Sequence, residues 1–245
     1  MARTMMQGWG TVKAGGGIAW EICHNGEMRM ESDLENWLRW HFYRKRKHSK
    51  RHAAIYQFRQ YLRTLPKGSV CIDCGANVGD TTDLIRRKGF RVIAFEPDSI
   101  AIKILRDRFA GDPGVTIVEK AVGASNRKAK FYQRPGAGGD IRRTEGSSLV
   151  KKPAHSDGLV TEMEVVDLPA FIANLGEPVA LLKVDIEGAE AELLEALLDS
   201  GIHRSIGQIF VETHERFSPE LASRIEAIRS RIQANNIANI NLDWM

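Results

Sequence analysis

From Ser69 onward, short apolar runs alternate with amphipathic segments. The runs at 69–73, 91–95, 115–118, 179–184 and 207–212 are rich in Val, Ile, Leu and Phe, as strands buried on both faces are. Between and after them, 79–88, 98–110, 188–200 and 218–233 carry apolar residues at helical spacing. This alternation predicts an α/β fold, a mostly parallel sheet with helices on both faces. The stretch 121–166 interrupts it as an insertion: Ala121–Phe131 reads as a hairpin, followed by the Gly-rich RPGAGGD, a polar loop and a strand at 161–166.

The N-terminal part is patterned differently. Residues 9–31 read as short strands joined by turns at Gly15-Gly16-Gly17 and Asn25-Gly26. Asp33 reads as the N-cap of a helix carrying Leu34, Trp37, Leu38 and Trp40, and a second helix over 52–65 stops at Pro66-Lys67-Gly68. The chain therefore divides into an extension, 1–67, and a main domain, 68–245.

The most informative run is VCIDCGANVGDTT, where a strand ending in Asp73 passes through Gly75, Ala76, Asn77 and Gly79 into a helix. Such a strand–loop–helix serves either a dinucleotide or S-adenosylmethionine. The dinucleotide fingerprint places glycine where this chain has Asn77, and a carboxylate at Asp73 repels a pyrophosphate but attracts an ammonium or sulfonium. The second strand runs into Glu96-Pro97, an acid 21 positions after Gly75 that can accept hydrogen bonds from both ribose hydroxyls. Glu119-Lys120-Ala121-Val122, after the third strand, lies where an adenine belongs, and an ordinary surface turn explains it equally well.

Ligands of open α/β sheets sit beyond the carboxyl ends of the strands. There the chain places Asp185 and Glu187 after the fourth strand of the sheet, and Glu212 and His214 after the fifth. His214 suits a general base, with Glu212 or Asp185 orienting the ring. Asp185 and Glu187 also fit as caps of the helix GAEAELLEALL. Asp185, Glu212 and His214 are the candidate ligands of a hard cation such as Mg2+, and Ser147-Ser148 in the insertion are candidates for binding a polyhydroxyl acceptor.

The runs DCGANVGDTT, AFEPD, KAVGAS, GSSL, LLKVDIEGAE and VETHE, in that order over about residues 68–216, resemble the FkbM family of methyltransferases. The resemblance implies a Rossmann-like class I methyltransferase fold, S-adenosylmethionine as donor, and O-methylation of sugars in polysaccharides and glycolipids or of polyketide hydroxyls. By position it implies that Asp73, Gly75, Asn77, Gly79 and Thr81 surround the methionine half of the donor and Glu96 its ribose; neighbouring Ala76, Pro97 and Ala121 complete the expected cofactor set. The family usually adds a strand pair after the helix that follows the fifth strand. Here there is room for one strand near 237–244, which leaves the last strand missing or supplied by a partner subunit, as in a homo-oligomer.

Composition changes this picture in two places. Of a net charge of +4, seven positive charges lie in the acid-free run 39–52, RWHFYRKRKHSKRH, leaving the remainder net negative. That run reads as a solvated helix face or as a patch for nucleic acid, phosphates or anionic lipid. Cys71 and Cys74 form a CxxC inside an apolar strand with no second thiol or histidine pair, so burial is the simpler reading than zinc. No 18-residue apolar stretch and no apolar leader core are present, which points to a soluble, cytoplasmic protein. The competing functions are an RNA or other nucleic-acid methyltransferase, disfavoured for base amines because DIEG replaces the Asn/Asp-Pro-Pro-aromatic loop, and a non-catalytic S-adenosylmethionine-binding module. An NAD-linked dehydrogenase ranks last on the charge at Asp73.

Overall fold

A computed structural model describes residues 11–14, 18–21, 53–136, 144, 146–152 and 155–244. In the N-terminal unit, β1 (Thr11–Ala14) and β2 (Ile18–Glu21) pair antiparallel, in keeping with short strands in this stretch; the expected turns lie outside the described residues. The helix expected from Asp33 and the basic run 39–52 lie outside the described residues. The second unit, Arg51–Met245, begins with α1 (53–64).

That unit continues through β3 (Val70–Cys74), α2 (Asp80–Arg86), β4 (Arg91–Phe95), α3 (Ser99–Arg108), β5 (Val115–Val118), β6 (Ala121–Gly123), β7 (Arg127–Tyr132), β8 (Val160–Asp167), α4 (Leu168–Ala173), β9 (Val179–Val184), α5 (Glu190–Asp199), β10 (Ile206–Glu212), α6 (Pro219–Ala234) and β11 (Ile240–Trp244). Six strands form an all-parallel sheet in the order β5-β4-β3-β9-β10-β11. The parallel α/β sheet expected from the alternation is thus present, in the Rossmann-like form that the resemblance implies. β11, the strand expected near 237–244, follows α6 and pairs in parallel with β10.

Strand periodicity divides the core between the two faces. Ile72, Cys74, Phe95, Leu182, Val184, Ile209 and Val211 point to the face covered by α4, α5 and α6. Their neighbours Cys71, Val92, Leu181 and Phe210 meet Phe58 and Leu62 of α1 and Ile85 of α2 on the other. A bulge opposite Phe210–Glu212 puts an extra residue into β11. It turns Trp244 away from the side of Ile240 and Leu242 and onto Phe58, with ring centroids 4.5 Å apart. The second helix expected within the N-terminal extension, α1, is therefore packed onto the sheet. Both cysteines of the CxxC are buried free thiols, Cys71 pushed up to about 12 by burial and by nearby Asp73, so this CxxC is core.

The insertion corrects one expectation. Ala121–Phe131 is not a hairpin: β6 and β7 lie on opposite sides of β8, β6 parallel and β7 antiparallel to it. The long β8, alternately exposed and covered, offers two hydrogen-bonding edges, whereas the three-residue β6 offers little ladder to fold back on. Among the described residues no helix is long and apolar enough to cross a membrane.

Phe58 is fully buried and touches both Phe210 and Trp244. Phe58→Ala should therefore lower stability by about 3–5 kcal/mol, read as a fall in the urea midpoint at unchanged slope.

Candidate active site

The loop after β3 is shaped by close backbone packing. Gly75 has φ 73°, and a Cβ there would lie 1.8 Å from the Asp185 carbonyl oxygen, so the end of β9 presses directly on the loop. Gly79, at φ 90°, lies against Leu105 and Phe109. Both glycines answer to this internal packing. Asn77 is also left-handed, at φ 49°. Its amide donates to Glu96 Oε2 at 2.7 Å, and Glu96 Oε1 accepts from the Asp98 amide, also at 2.7 Å. Asp98, not Glu96, caps α3.

Glu96 is buried, and burial lifts its carboxyl to about 7 although both backbone bonds pull the other way. A carboxylate accepts about four hydrogen bonds, so positions remain for the two hydroxyls of a ribose. Oδ2 of buried Asp98 has no partner among the described residues. Two acceptors at the carboxyl end of β4, beside a loop of left-handed residues, fit the nucleoside part of S-adenosylmethionine. Of the other expected cofactor residues, Ala76 is buried in the loop, Thr81 and Pro97 are half-buried, and Ala121 is buried in β6.

Asp73 is fully buried and already engaged. Oδ2 accepts from Thr82 at 2.7 Å, and Oδ1 lies 3.3 Å from Nζ of Lys183, its direct neighbour in the β3–β9 register. Lys183 Nζ also donates to the Gly75 carbonyl at 2.9 Å and lies 3.5 Å from Asp185. Burial works against this ammonium, but Asp73 and Asp185 outweigh it and raise its pKa. The sign argument at Asp73 thus leads to an internal cation, and Lys183 and Thr82 are among the residues that the sequence reading missed. The signal available for Lys183 was a lysine inside the apolar run VALLKV.

Asp185, Glu187, Glu212 and His214 come together at the ends of β9 and β10. His214 is buried, its Nδ1 2.8 Å from Oε1 of Glu190, which also accepts from the amides of Ile186 and Gly188. The other ring nitrogen, Nε2, faces Glu187 at 3.5 Å, Glu212 at 3.8 Å and Asp185 at 3.9 Å. Burial opposes charge on the imidazole, but the Glu190 bond and the neighbouring carboxylates raise its pKa. Glu212 is lifted to about 7 by burial and by Asp185. Glu190, fully buried at the start of α5, orients the ring and was not anticipated.

The insertion clamps this cluster. Glu187 has φ 57°, costly for a residue with a Cβ and found where surroundings hold it. Ser148 Oγ donates to the Glu187 carbonyl at 2.7 Å, and Lys152 Nζ reaches its carboxylate at 2.7 Å. Ser148 is therefore committed within the protein, whereas the buried Ser147 Oγ has no partner among the described residues. Thr144 Oγ1 ties the same insertion to Asn77 Oδ1 at 2.9 Å.

Donor atoms of Asp185, Glu187 and His214 lie within 4.8 Å of one another, close enough for one cation. The two carboxylates already face Lys183, Lys152 and His214, so a metal would have to displace resident cations.

Removing one partner of a buried ion pair strands the other charge. Lys183→Met should cost about 3–5 kcal/mol of unfolding free energy. In the double variant with Asp73→Asn the combined loss should fall well short of the sum of the single losses. Additive losses in urea unfolding would show that the two do not form a pair.

The sequence profile of the methyltransferase FkbM domain matches residues 73–236, which includes the loop, Glu96, the insertion and the whole acidic–imidazole cluster. Comparison with curated protein sequences gives no significant match. Among solved structures, a protein of Anabaena variabilis described as a methyltransferase from an antibiotic biosynthesis pathway aligns at 30% identity and TM-score 0.21 over 23% of this chain, and the matched part is 22% of that protein. A TehB-like SAM-dependent methyltransferase from Corynebacterium glutamicum aligns at 14% identity and TM-score 0.35, over 81% of this chain and 84% of that one. With its profile match spanning most of the sequence and taking in both halves of the site, this chain belongs to the FkbM methyltransferase family.

Proposed function

We propose that the protein is an S-adenosylmethionine-dependent O-methyltransferase whose acceptor is a hydroxyl on a sugar or similar small metabolite. The observation that carries this reading is the Glu190–His214 pair, which sets a titratable ring nitrogen among three carboxylates at the strand ends. S-adenosylmethionine supplies an electrophilic methyl group whose bond to sulfur breaks as the acceptor oxygen bonds to carbon. Glu96, with the amides of Asn77 and Asp98 fixing its carboxyl, would hold the donor's ribose.

The acceptor's proton has to leave as its oxygen is alkylated. In neutral His214, Nδ1–H donates to Glu190, which exposes the lone pair of Nε2. When Nε2 takes the hydroxyl proton, the new positive charge lies among Glu190, Glu187, Glu212 and Asp185. These groups are in place before the reaction, so little reorganisation accompanies the transfer. Lys183 and the Ser148–Lys152 clamp fix Asp185 and Glu187 and set the geometry.

The direct test incubates purified protein with methyl-labelled S-adenosylmethionine and a lysate of its source cells, then separates carbohydrate, lipid, nucleic-acid and protein fractions. Label in carbohydrate or glycolipid is the expected result; label in RNA would overturn the acceptor assignment.

His214→Ala should lower kcat by about 10²–10⁴-fold with the donor's Kd little changed. The base must be deprotonated to act and its pKa is raised, so kcat should climb with pH through a limb above the usual histidine value of 6.5. Glu190→Gln removes a charge that favours the imidazolium and should move that limb to lower pH while reducing kcat. A limb that stays in place in this variant would argue that another group is the base. Because resident cations already face the carboxylates, exhaustive chelation should leave the rate unchanged.

A further inference from the structure

Beside the acidic cluster lies a basic one, of which the transfer chemistry uses only Lys152. Phe217 stacks on His214, centroids 4.8 Å apart, and two cations approach the same phenyl ring: Lys152 Nζ at 3.9 Å and Arg216 Cζ at 4.9 Å from its centroid. A cavity of about 520 Å3 opens here, within the usual range for small-molecule sites. Among the described residues its charged lining is Lys151, Lys152, Arg216 and Arg224 against Glu220.

The cations are not equally committed. Arg224 holds Glu195 through two bonds, of 3.1 and 2.6 Å, and Lys152 reaches Glu187. Arg216 and Lys151 have no hydrogen-bond or ion-pair partner among the described residues. Burial and the nearby Arg216 both hold the Lys152 ammonium below its ordinary pKa. Like charges gathered on one ring at a concave, partly apolar surface repel one another, and an anion placed between them relieves that repulsion. A guanidinium also offers paired N–H donors that match the oxygens of a carboxylate or phosphate.

We propose that this cavity binds the anionic group of the methyl acceptor, a phosphate or a carboxylate, through Arg216 with Lys151 and Lys152, so that the enzyme selects acidic sugars over neutral ones. The inference rests on the reading of the acceptor as a hydroxyl-bearing metabolite. Phe217 and Lys152 belong to both sites: one face of the ring meets the base, and the ammonium bridges the cavity and Glu187. One small acceptor thus spans them, its anion at Arg216 and its hydroxyl at His214.

The test is calorimetric titration of the full chain with glucose, glucose 6-phosphate and glucuronate, each with and without S-adenosylmethionine, in wild type and in R216A/K151A. The expected result is that at least one charged sugar binds about tenfold or more tighter than glucose, and that the double variant loses this preference. Binding of the phosphate or of the uronate alone identifies which anion the site takes. Charged and neutral sugars binding alike, a preference that survives in R216A/K151A, or no sugar binding while S-adenosylmethionine binds would each overturn the subsite and leave the methyl-transfer reading standing. Failure to bind S-adenosylmethionine would overturn that reading instead, and a charged-sugar preference lost in R216A/K151A would then stand without it.

Discussion

An ammonium ion at the centre of a parallel sheet needs compensation from every side, and Lys183 receives it from Asp73 across the β3–β9 register, from Asp185 two residues on, and from the Gly75 carbonyl. β3 and β9 meet where the strand order reverses, the point at which open α/β sheets form their ligand crevice. The lysine therefore does more than neutralise Asp73. It joins the loop after β3 to the end of β9, and the 1.8 Å that a Cβ at Gly75 would leave to the Asp185 carbonyl shows how tightly the two are drawn together. Either charge alone in this position would be strongly destabilising.

From that junction the site extends in two directions. Toward β4, the amides of Asn77 and Asp98 fix the Glu96 carboxyl. Toward β10, Asp185 joins Glu187 and Glu212 around His214, whose ring is set by Glu190 from the next helix. The insertion, with its three-stranded sheet, closes over this second half through Ser148 and Lys152, both bonded to a residue held at positive φ. Acidic and basic groups are thereby sorted into adjacent clusters that share Lys152 and Phe217. Under the proposed function these two clusters would serve one acceptor, the imidazole taking a proton at one end and the cationic cavity holding a charge at the other.

The strand order on its own does not choose the cofactor, because dinucleotide-binding sheets share it. The choice rests on the loop, where Asn77 replaces a glycine, and on family membership. The charge argument first made for Asp73 has a different physical outcome in the folded chain: its attraction for a cation is real, and Lys183 satisfies it.

The sequence by itself determined the elements of the sheet, because burial on both faces demands unbroken apolar runs and the connecting helices demand a 3.6-residue period; β4, β5 and β9 have the ends that those patterns set. It also placed Glu96, Asp185, Glu187, Glu212 and His214 at strand ends, since a strand's direction fixes which end faces the crevice. What only tertiary structure decided were the partnerships between residues distant in the chain. Lys183 with Asp73, Glu190 with His214, and Ser148 with Glu187 depend on strand register and on how the insertion folds back. β6 and β7 are the plainest case: near neighbours in sequence, they are separated by β8 because a ladder forms with whichever strand supplies a matching edge.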